Sequence, residues 1–492
     1  MKMFRRMVIA CCLLTAGVAS GQSLTRPDRT DLARAYLEYE AALQASPLEE
    51  SERTRLAGQK FDLATMQFFR SDAAEALRML NELNARLRGD AIELRIALGS
   101  LRADVSPEVL HAGEDNTVRI VISSMHTMPE SVAEKGILNA RISLLDAAGA
   151  TIAELDAPLE ILEEAVRKDL EWRLPDDLEM GDYGISLSID DSISRRVGRI
   201  SFIEDRLEGI VGQCRTRIDG LPQGKVQDES FRLVRSWIDL IDPGSNRYAA
   251  TRFVYGPAEV VGWIDAWLTA YDAGTDPVKG KSGDVWGVLD APTGEVPFRL
   301  YVPRNLNRDA PAPLVMALHG AGGDEHMFFE GCGNGLIKDL ADRHGFIVVS
   351  PSTYSILGDP AAFDQVVDAI GSWHDIHADR VLVVGHSLGG ITASGLAQLR
   401  FDRIAGVVGI AGTRPFVSTM ECAPVLIIGA GRDLIVPARR LAQTVARAAD
   451  NGLPVRYEEY SELGHTIVVN ETLGYAIEWL LKQKVAEELS ID

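Results

Sequence analysis

Cysteine, basic charge and long apolar runs are all scarce in this sequence. Its five cysteines among 492 residues lack the spacing of metal ligands and define no disulfide framework. Acidic residues outnumber basic ones and give a formal net charge of -21. This charge argues against a phosphate backbone or an anionic membrane surface as the partner, so nucleic-acid binding is not expected.

Beyond the N-terminus, no stretch is long and apolar enough to span a bilayer, and we expect no integral membrane segment. The first 21 residues carry Lys2, Arg5 and Arg6, followed by a mostly apolar run at residues 7–19 and then small residues. This arrangement is typical of a signal peptide. It predicts a secreted or periplasmic protein.

The length of the chain predicts two or three domains. Apolar side chains recur every three to four positions in residues 25–100, which predicts a helical segment of three helices in a supporting role. In residues 101–202 the period changes to two, with turn residues between the runs, which is the pattern of a small β-sandwich. Helical spacing returns in residues 203–273, and the polar, glycine-containing stretch 274–283 is predicted to be a linker.

Residues 284–492 alternate apolar runs with helical segments. This alternation predicts a mainly parallel sheet that is covered by helices on both faces. The roughly 200 residues involved are enough for one such domain. We therefore expect an α/β domain at the C-terminus, preceded by the helical segment and the β-sandwich.

The most informative stretch of this domain is Val-Leu-Val-Val-Gly-His-Ser-Leu-Gly-Gly at residues 381–390. Four apolar residues predict a buried strand, and the glycines permit a sharp turn into a helix because they have no Cβ. Ser387 would then stand at the carboxyl end of the strand with its Oγ open to substrate. In a chain with 44 glycines the pattern also arises by chance, so its context has to support it.

Three further elements occur in the order that such a serine requires. A glycine loop, His-Gly-Ala-Gly-Gly at residues 319–323, directly follows an apolar run, and Asp433 and His465 come later in the chain. With these motifs, residues 284–492 resemble the α/β-hydrolase superfamily. The Asp-Arg-Val sequence at 379–381 is similar to that of secreted esterases related to feruloyl esterases and polyhydroxybutyrate depolymerases.

The resemblance implies a catalytic triad of Ser387, Asp433 and His465. A serine hydroxyl is a poor nucleophile at neutral pH, so His465 would accept its proton as Ser387 attacks a carbonyl carbon. Asp433 would hold the imidazole in the correct tautomer and stabilise its positive charge. This chemistry needs no cofactor.

The oxyanion of the tetrahedral intermediate is expected to bind to the backbone amides of Leu388 and of Ala321 or Gly322. Two other histidines lie close by in sequence. His319 begins the glycine loop and is expected to orient it, whereas His386 is expected to point away from the serine and to pack.

His374 and His377 are three residues apart, but no third ligand accompanies them in the sequence. We interpret the pair as the solvated end of a helix and expect no metal site.

The sequence favours a secreted serine hydrolase that cleaves small or polymeric carboxylic esters through an acyl-enzyme. Two alternatives stay open, a serine peptidase similar to the prolyl oligopeptidases and an inactive hydrolase fold that acts as a binding or scaffold protein. The connection at residues 411–424 is too short to hold an inserted cap domain. The site is therefore expected to be open within its own domain, unless the N-terminal modules fold over it.

Overall fold

The computed structural model describes residues 24–222 and 228–483. The predicted signal peptide, residues 1–21, lies outside these ranges. Within them, no helix is both long and apolar enough to cross a membrane. The three cysteines of the described residues, Cys214, Cys332 and Cys422, are free thiols.

From residue 24 onward, four helices precede the first strand. They are α1 (Arg29–Gln44), α2 (Glu50–Phe69), α3 (Ala73–Arg88) and α4 (Ile92–Gly99). The side chain of Asp28 caps α1 by accepting the N–H groups of Thr30 and Asp31. The periodicity predicted three helices here; the additional one is α4, whose eight residues are too few to show a repeating apolar stripe.

Two five-stranded sheets and a short helix follow the helices. The elements are β1 (Leu101–Ser106), β2 (Val109–His111), β3 (Thr117–Ser124), α5 (Glu130–Ala133), β4 (Ile137–Leu138), β5 (Ala140–Leu145), β6 (Thr151–Asp156), β7 (Leu159–Leu162), β8 (Ala165–Arg173), β9 (Gly181–Ile189) and β10 (Ile193–Ile203). The strand orders are β1-β3-β8-β7-β4 and β2-β10-β9-β5-β6. Buried side chains of both sheets form a single apolar cluster.

Helices then return as α6 (Leu207–Asp219), α7 (Asp228–Ile241), α8 (Ala249–Val254) and α9 (Pro257–Asp272). Their tryptophans are core residues; Trp267, for example, is buried and stacks on Tyr271 with ring centroids 5.5 Å apart. The following stretch, predicted as a linker, is itself packed. Val278 is buried in the same core, and the N–H of Gly280 donates to the carbonyl of Trp373 at 2.9 Å.

The C-terminal part of the chain contains an eight-stranded sheet. Its strands are β11 (Gly283–Ala291), β12 (Gly294–Val302), β13 (Ala312–Leu318), β14 (Ile347–Pro351), β15 (Ile376–His386), β16 (Ile404–Ile410), β17 (Val425–Ala430) and β18 (Val455–Tyr460). The strand order is β11-β12-β14-β13-β15-β16-β17-β18. All neighbours from β14 to β18 are parallel, whereas β11 and β12 are antiparallel to the strands beside them. The predicted mainly parallel sheet is confirmed.

Helices between these strands cover the sheet. Their bounds are Met327–Glu330, Cys332–His344, Thr353–Ile356, Pro360–Trp373, Leu388–Leu399, Ala438–Asp450 and Ile467–Leu481 for α10 to α16. Successive strand residues face opposite sides of a sheet, so Leu314 and Met316 lie in one core and Val315 and Ala317 in the other.

Helices that precede the sheet in sequence pack on both of its faces. Helices α6, α7 and α9 contribute to the core on one face. The core on the other face includes α1, α2 and α3 together with α11 and α16. The helices that precede the sheet in sequence are therefore part of its apolar packing.

Candidate active site

Ser387 occupies a strained turn between β15 and α14. The strand ends at His386, the helix begins at Leu388, and Ser387 between them has φ 54° and ψ −111°, a conformation that costs free energy for any residue with a Cβ. The glycines around it are required by close contacts. A Cβ on Gly389 would lie 1.8 Å from the carbonyl oxygen of Leu318.

Asp433 and His465 are in direct contact. The Oδ2 atom of Asp433 lies 2.7 Å from Nδ1 of His465, and both side chains are almost fully buried. Asp433 follows the end of β17, and His465 lies between β18 and α16. The carboxyl ends of parallel strands thus bring together two residues that are 32 positions apart in sequence.

The second oxygen of Asp433 is also occupied. Its Oδ1 atom accepts the N–H groups of Ile435 and Val436, each at 2.7 Å. These two bonds fix the orientation of the carboxylate, so that Oδ2 faces the imidazole. Nδ1 of His465 is thereby held as a hydrogen-bond donor, which leaves Nε2 free to accept a proton.

Ser387 and His465 line the same cavity, together with residues 320–323 of the glycine loop. Leu388, as the first residue of α14, has an N–H group that no carbonyl within the helix can accept. The N–H of Gly322 donates to the hydroxyl of Tyr354 at 2.7 Å. Of the two loop amides predicted from the sequence, that of Gly322 therefore already has a hydrogen-bond partner.

His319 braces the glycine loop from below. Its Nε2 accepts the N–H of Thr353 at 3.0 Å, and its Nδ1 lies 2.9 Å from the carbonyl oxygen of Gly320. Burial lowers the pKa of His319 to about 4, so the ring is neutral at neutral pH, as this pattern of one acceptor and one donor requires. The ring holds the loop in the way that the sequence predicted.

His386 adjoins the serine but interacts with the catalytic loop behind it. Its Nε2 donates to the carbonyl oxygen of His465 at 3.0 Å, and the two imidazole rings have centroids 4.8 Å apart. Burial, and then the proximity of His465, lowers the pKa of His386 to about 3. The ring is therefore neutral at neutral pH and packs against the imidazole of His465.

Sequence reasoning missed Asp62, which belongs to α2. This carboxylate is completely buried and accepts the backbone N–H of His465, with both oxygens at 3.1 Å, and the N–H of Leu434 at 3.2 Å. Asp62 therefore connects the loop that carries His465 to the loop that carries Asp433. The only signal in the sequence was a carboxylate next to Phe61 in an apolar helical pattern, which also fits a solvated side chain.

The N-terminal helices also cover the cavity. A volume of about 250 Å³ lies between the loops that carry Ser387 and His465 and side chains of α1, α2, α3 and α8. From the sequence we expected a site open within its own domain, unless the N-terminal modules fold over it. The second arrangement is the one observed. The physical reason is that one face of the sheet buries its apolar side chains against α1 to α3.

Within residues 24–222 and 228–483, no three histidine, cysteine or carboxylate side chains cluster as metal ligands. The pair His374 and His377 was predicted to be a solvated helix end, and this prediction is wrong. His374 follows the last residue of α13 and is buried, and His377 lies in β15 and is half-buried. Burial lowers the pKa of the His374 imidazole to about 4.

Residues 314–480 match the alpha/beta hydrolase family, and this segment contains Ser387, Asp433 and His465. Together with the sheet order, this match decides the fold. The C-terminal part of the chain has the α/β-hydrolase fold.

Two curated relatives are similar to part of this chain. A bifunctional acetylxylan esterase/xylanase of Neocallimastix patriciarum is 32% identical over 139 residues, which cover 26% of this chain and 20% of the relative. A cutinase of Thermobifida alba is 30% identical over 154 residues, which cover 28% of this chain and 51% of the relative. The chain thus spans between a fifth and about half of the length of these relatives.

Among solved structures, the feruloyl esterase module of Clostridium thermocellum, as its S954A mutant complexed with sinapinate, is 15% identical. The match covers 39% of this chain and 87% of the module, with a TM-score of 0.34.

Proposed function

We propose that this protein is a serine hydrolase that cleaves carboxylic esters through an acyl-enzyme. The observation that carries the proposal is the buried pair of Asp433 and His465, which lies at the cavity where Ser387 stands on its strained turn. The similarity of part of the chain to an acetylxylan esterase/xylanase and to a cutinase supports the ester as the substrate class.

In the proposed mechanism, Nε2 of His465 takes the proton of Ser387 as Oγ attacks the carbonyl carbon of the ester. The carbonyl oxygen becomes an oxyanion that accepts the N–H groups of Leu388 and Ala321, where one such donor is typically worth about 3 kcal/mol. His465 then gives its proton to the departing alcohol. Water, activated by the same histidine, releases the carboxylic acid and restores the serine.

A fluorophosphonate probe tests the nucleophile. We expect it to label the wild type and not Ser387→Ala, with equal unfolding temperatures of the two proteins showing that the variant is folded. An unlabelled wild type would favour the scaffold alternative. The rates for p-nitrophenyl acetate and for a peptide p-nitroanilide separate esterase from peptidase, and faster cleavage of the amide would contradict the ester proposal.

We also propose secretion, from the basic, apolar and small residues of 1–21. Fractionation of bacterial cells that express the full chain tests this. Activity in the periplasm or medium, with a mature N-terminus close to residue 22, is expected. Retention of the intact chain in the cytoplasm would contradict it.

A further inference from the structure

The cavity beside Ser387 has two walls of different chemistry. One consists of the catalytic loops, with Ser387 and His465. The other is apolar and comes from elements outside the α/β-hydrolase domain, with the side chains of Leu32, Tyr36, Phe61, Ala64, Phe68 and Phe253. The residue that would be acylated thus faces an apolar space that the preceding helices supply.

Helix α2 presents a continuous face to this space. Phe61, Ala64, Thr65 and Phe68 are spaced three and four apart, so they share one side of the helix. The ring of Phe68 reaches the glycine loop, since a Cβ on Gly322 would lie 2.7 Å from its Cε1 atom. Phe68 therefore lies next to the proposed oxyanion site.

The position of α2 is fixed by two contacts with the catalytic loop. Gly58 lies backbone to backbone against Gly464, because a Cβ on Gly464 would be 2.9 Å from Cα of Gly58. One turn further along, the carboxylate of Asp62 accepts the N–H of His465. The apolar face of α2 is consequently held in register with the catalytic histidine.

Charged groups at the edge of the cavity are already paired. Arg29 forms an ion pair with Asp324 and donates to the carbonyl oxygens of Gly322 and Gly323. Glu330 forms an ion pair with Arg299. An apolar occupant would leave these pairs intact, whereas a charged or strongly polar one would be desolvated without a free partner.

We propose that helices α1 to α3, with α8, form an acyl-binding pocket that accepts an apolar acyl group of medium length. This inference rests on the proposed ester hydrolysis and specifies its substrate class. The volume of about 250 Å³ suits a single acyl group. An acetyl group would leave most of the apolar wall without contacts, so esters of longer fatty acids are the preferred substrates.

The test compares kcat/KM for p-nitrophenyl octanoate and p-nitrophenyl acetate. We expect the wild type to prefer the octanoate. Phe68→Ala removes part of the wall, and Ala33→Phe narrows the cavity from α1; each is expected to lower the octanoate-to-acetate ratio about ten-fold. Phe401→Ala is the matched control, because Phe401 is as exposed as Phe68 (39% and 37%) but lies outside the cavity.

A wild type that prefers acetate, or variants that keep the wild-type ratio, would overturn the inference. Binding to Ser387→Ala separates this outcome from failure of the proposed function. Calorimetric titration of this variant should show tighter binding of methyl octanoate than of methyl acetate, and Phe68→Ala in the same background should weaken it. Tighter binding of methyl octanoate would support the acyl-binding pocket even if the wild type hydrolyses neither ester. Equal affinities for the two methyl esters would refute the pocket.

Discussion

The carboxylate of Asp62 accepts the backbone N–H of His465, although the two residues lie 403 positions apart in sequence. Burial raises the pKa of Asp62, and the N–H groups of His465 and Leu434 oppose this effect. Asp62 touches no reacting atom, so it is a positioning residue. It makes an N-terminal helix part of the proposed catalytic apparatus.

Asp62→Asn is expected to lower kcat/KM for an ester ten- to a hundred-fold, because the loop carrying the base loses a charged acceptor and shifts. The acidic limb of the pH–rate profile should also move to lower pH, since the imidazolium loses a neighbouring negative charge.

Asp342→Asn is the control. Its carboxylate accepts the hydroxyl of Tyr301 at 2.9 Å, away from the site. An unchanged pH profile in Asp62→Asn would restrict Asp62 to a structural role.

Asp433→Asn should abolish most of the activity without unfolding the protein. The N–H groups of Ile435 and Val436 require an oxygen at the Oδ1 position, so the amide NH₂ would face Nδ1 of His465. The imidazole would then carry its proton on Nε2 and could not accept one from the serine. We expect kcat to fall by about 10³ to 10⁴ while the unfolding temperature changes little. Retention of more than a tenth of kcat would exclude Asp433 as the triad acid.

The turn around Ser387 predicts opposite effects for two glycine substitutions. Gly389→Ala places a Cβ 1.8 Å from the carbonyl oxygen of Leu318, so it should destabilise the fold by several kcal/mol and abolish labelling of the serine. Gly474→Ala, in α16, places its Cβ in open space and should stabilise by about 0.4–1 kcal/mol. Urea unfolding of both variants measures the difference. Equal stabilities would contradict the close packing of the turn.

The buried ring of His386 predicts a loss of stability in acid. Its pKa is about 3 in the folded protein, and the ring takes a proton near pH 6.5 once it is exposed by unfolding. The stabilisation from this ring is therefore complete above pH 6.5 and is lost as the pH falls toward 3. Between pH 7 and pH 5 the wild type should lose about 2 kcal/mol more free energy of unfolding than His386→Gln. Parallel stability curves in urea unfolding at the two pH values would refute this.

The elements that local sequence predicted well are the strands and turns of the α/β-hydrolase domain. The apolar run before Ser387 predicted a buried strand, and the glycines after it lie at contacts where a Cβ cannot fit. The order of Asp433 and His465 behind later strands placed both at one sheet edge, because parallel strands end there together. The role of His319 followed from its place at the start of the glycine loop.

The elements that the sequence missed depend on contacts between distant segments. Asp62 gave no local sign of its partner, since an acidic residue in a helix is usually solvated. His374 was interpreted as solvated from its place near a helix end, but it is buried. The polar stretch at 274–283 looked like a linker, yet Val278 packs in the core.

By itself the sequence determined the mainly parallel sheet, the strained turn at Ser387 and the order of the three candidate catalytic residues, because each depends on local period or on glycine geometry. The tertiary structure alone decided that α1 to α3 lie over the site, that Asp62 holds His465, and that Gly322 already has a partner in Tyr354. These outcomes depend on which apolar surfaces of distant segments pack against each other. An amphipathic helix needs a partner to bury its stripe, but its own sequence does not say which surface that partner is.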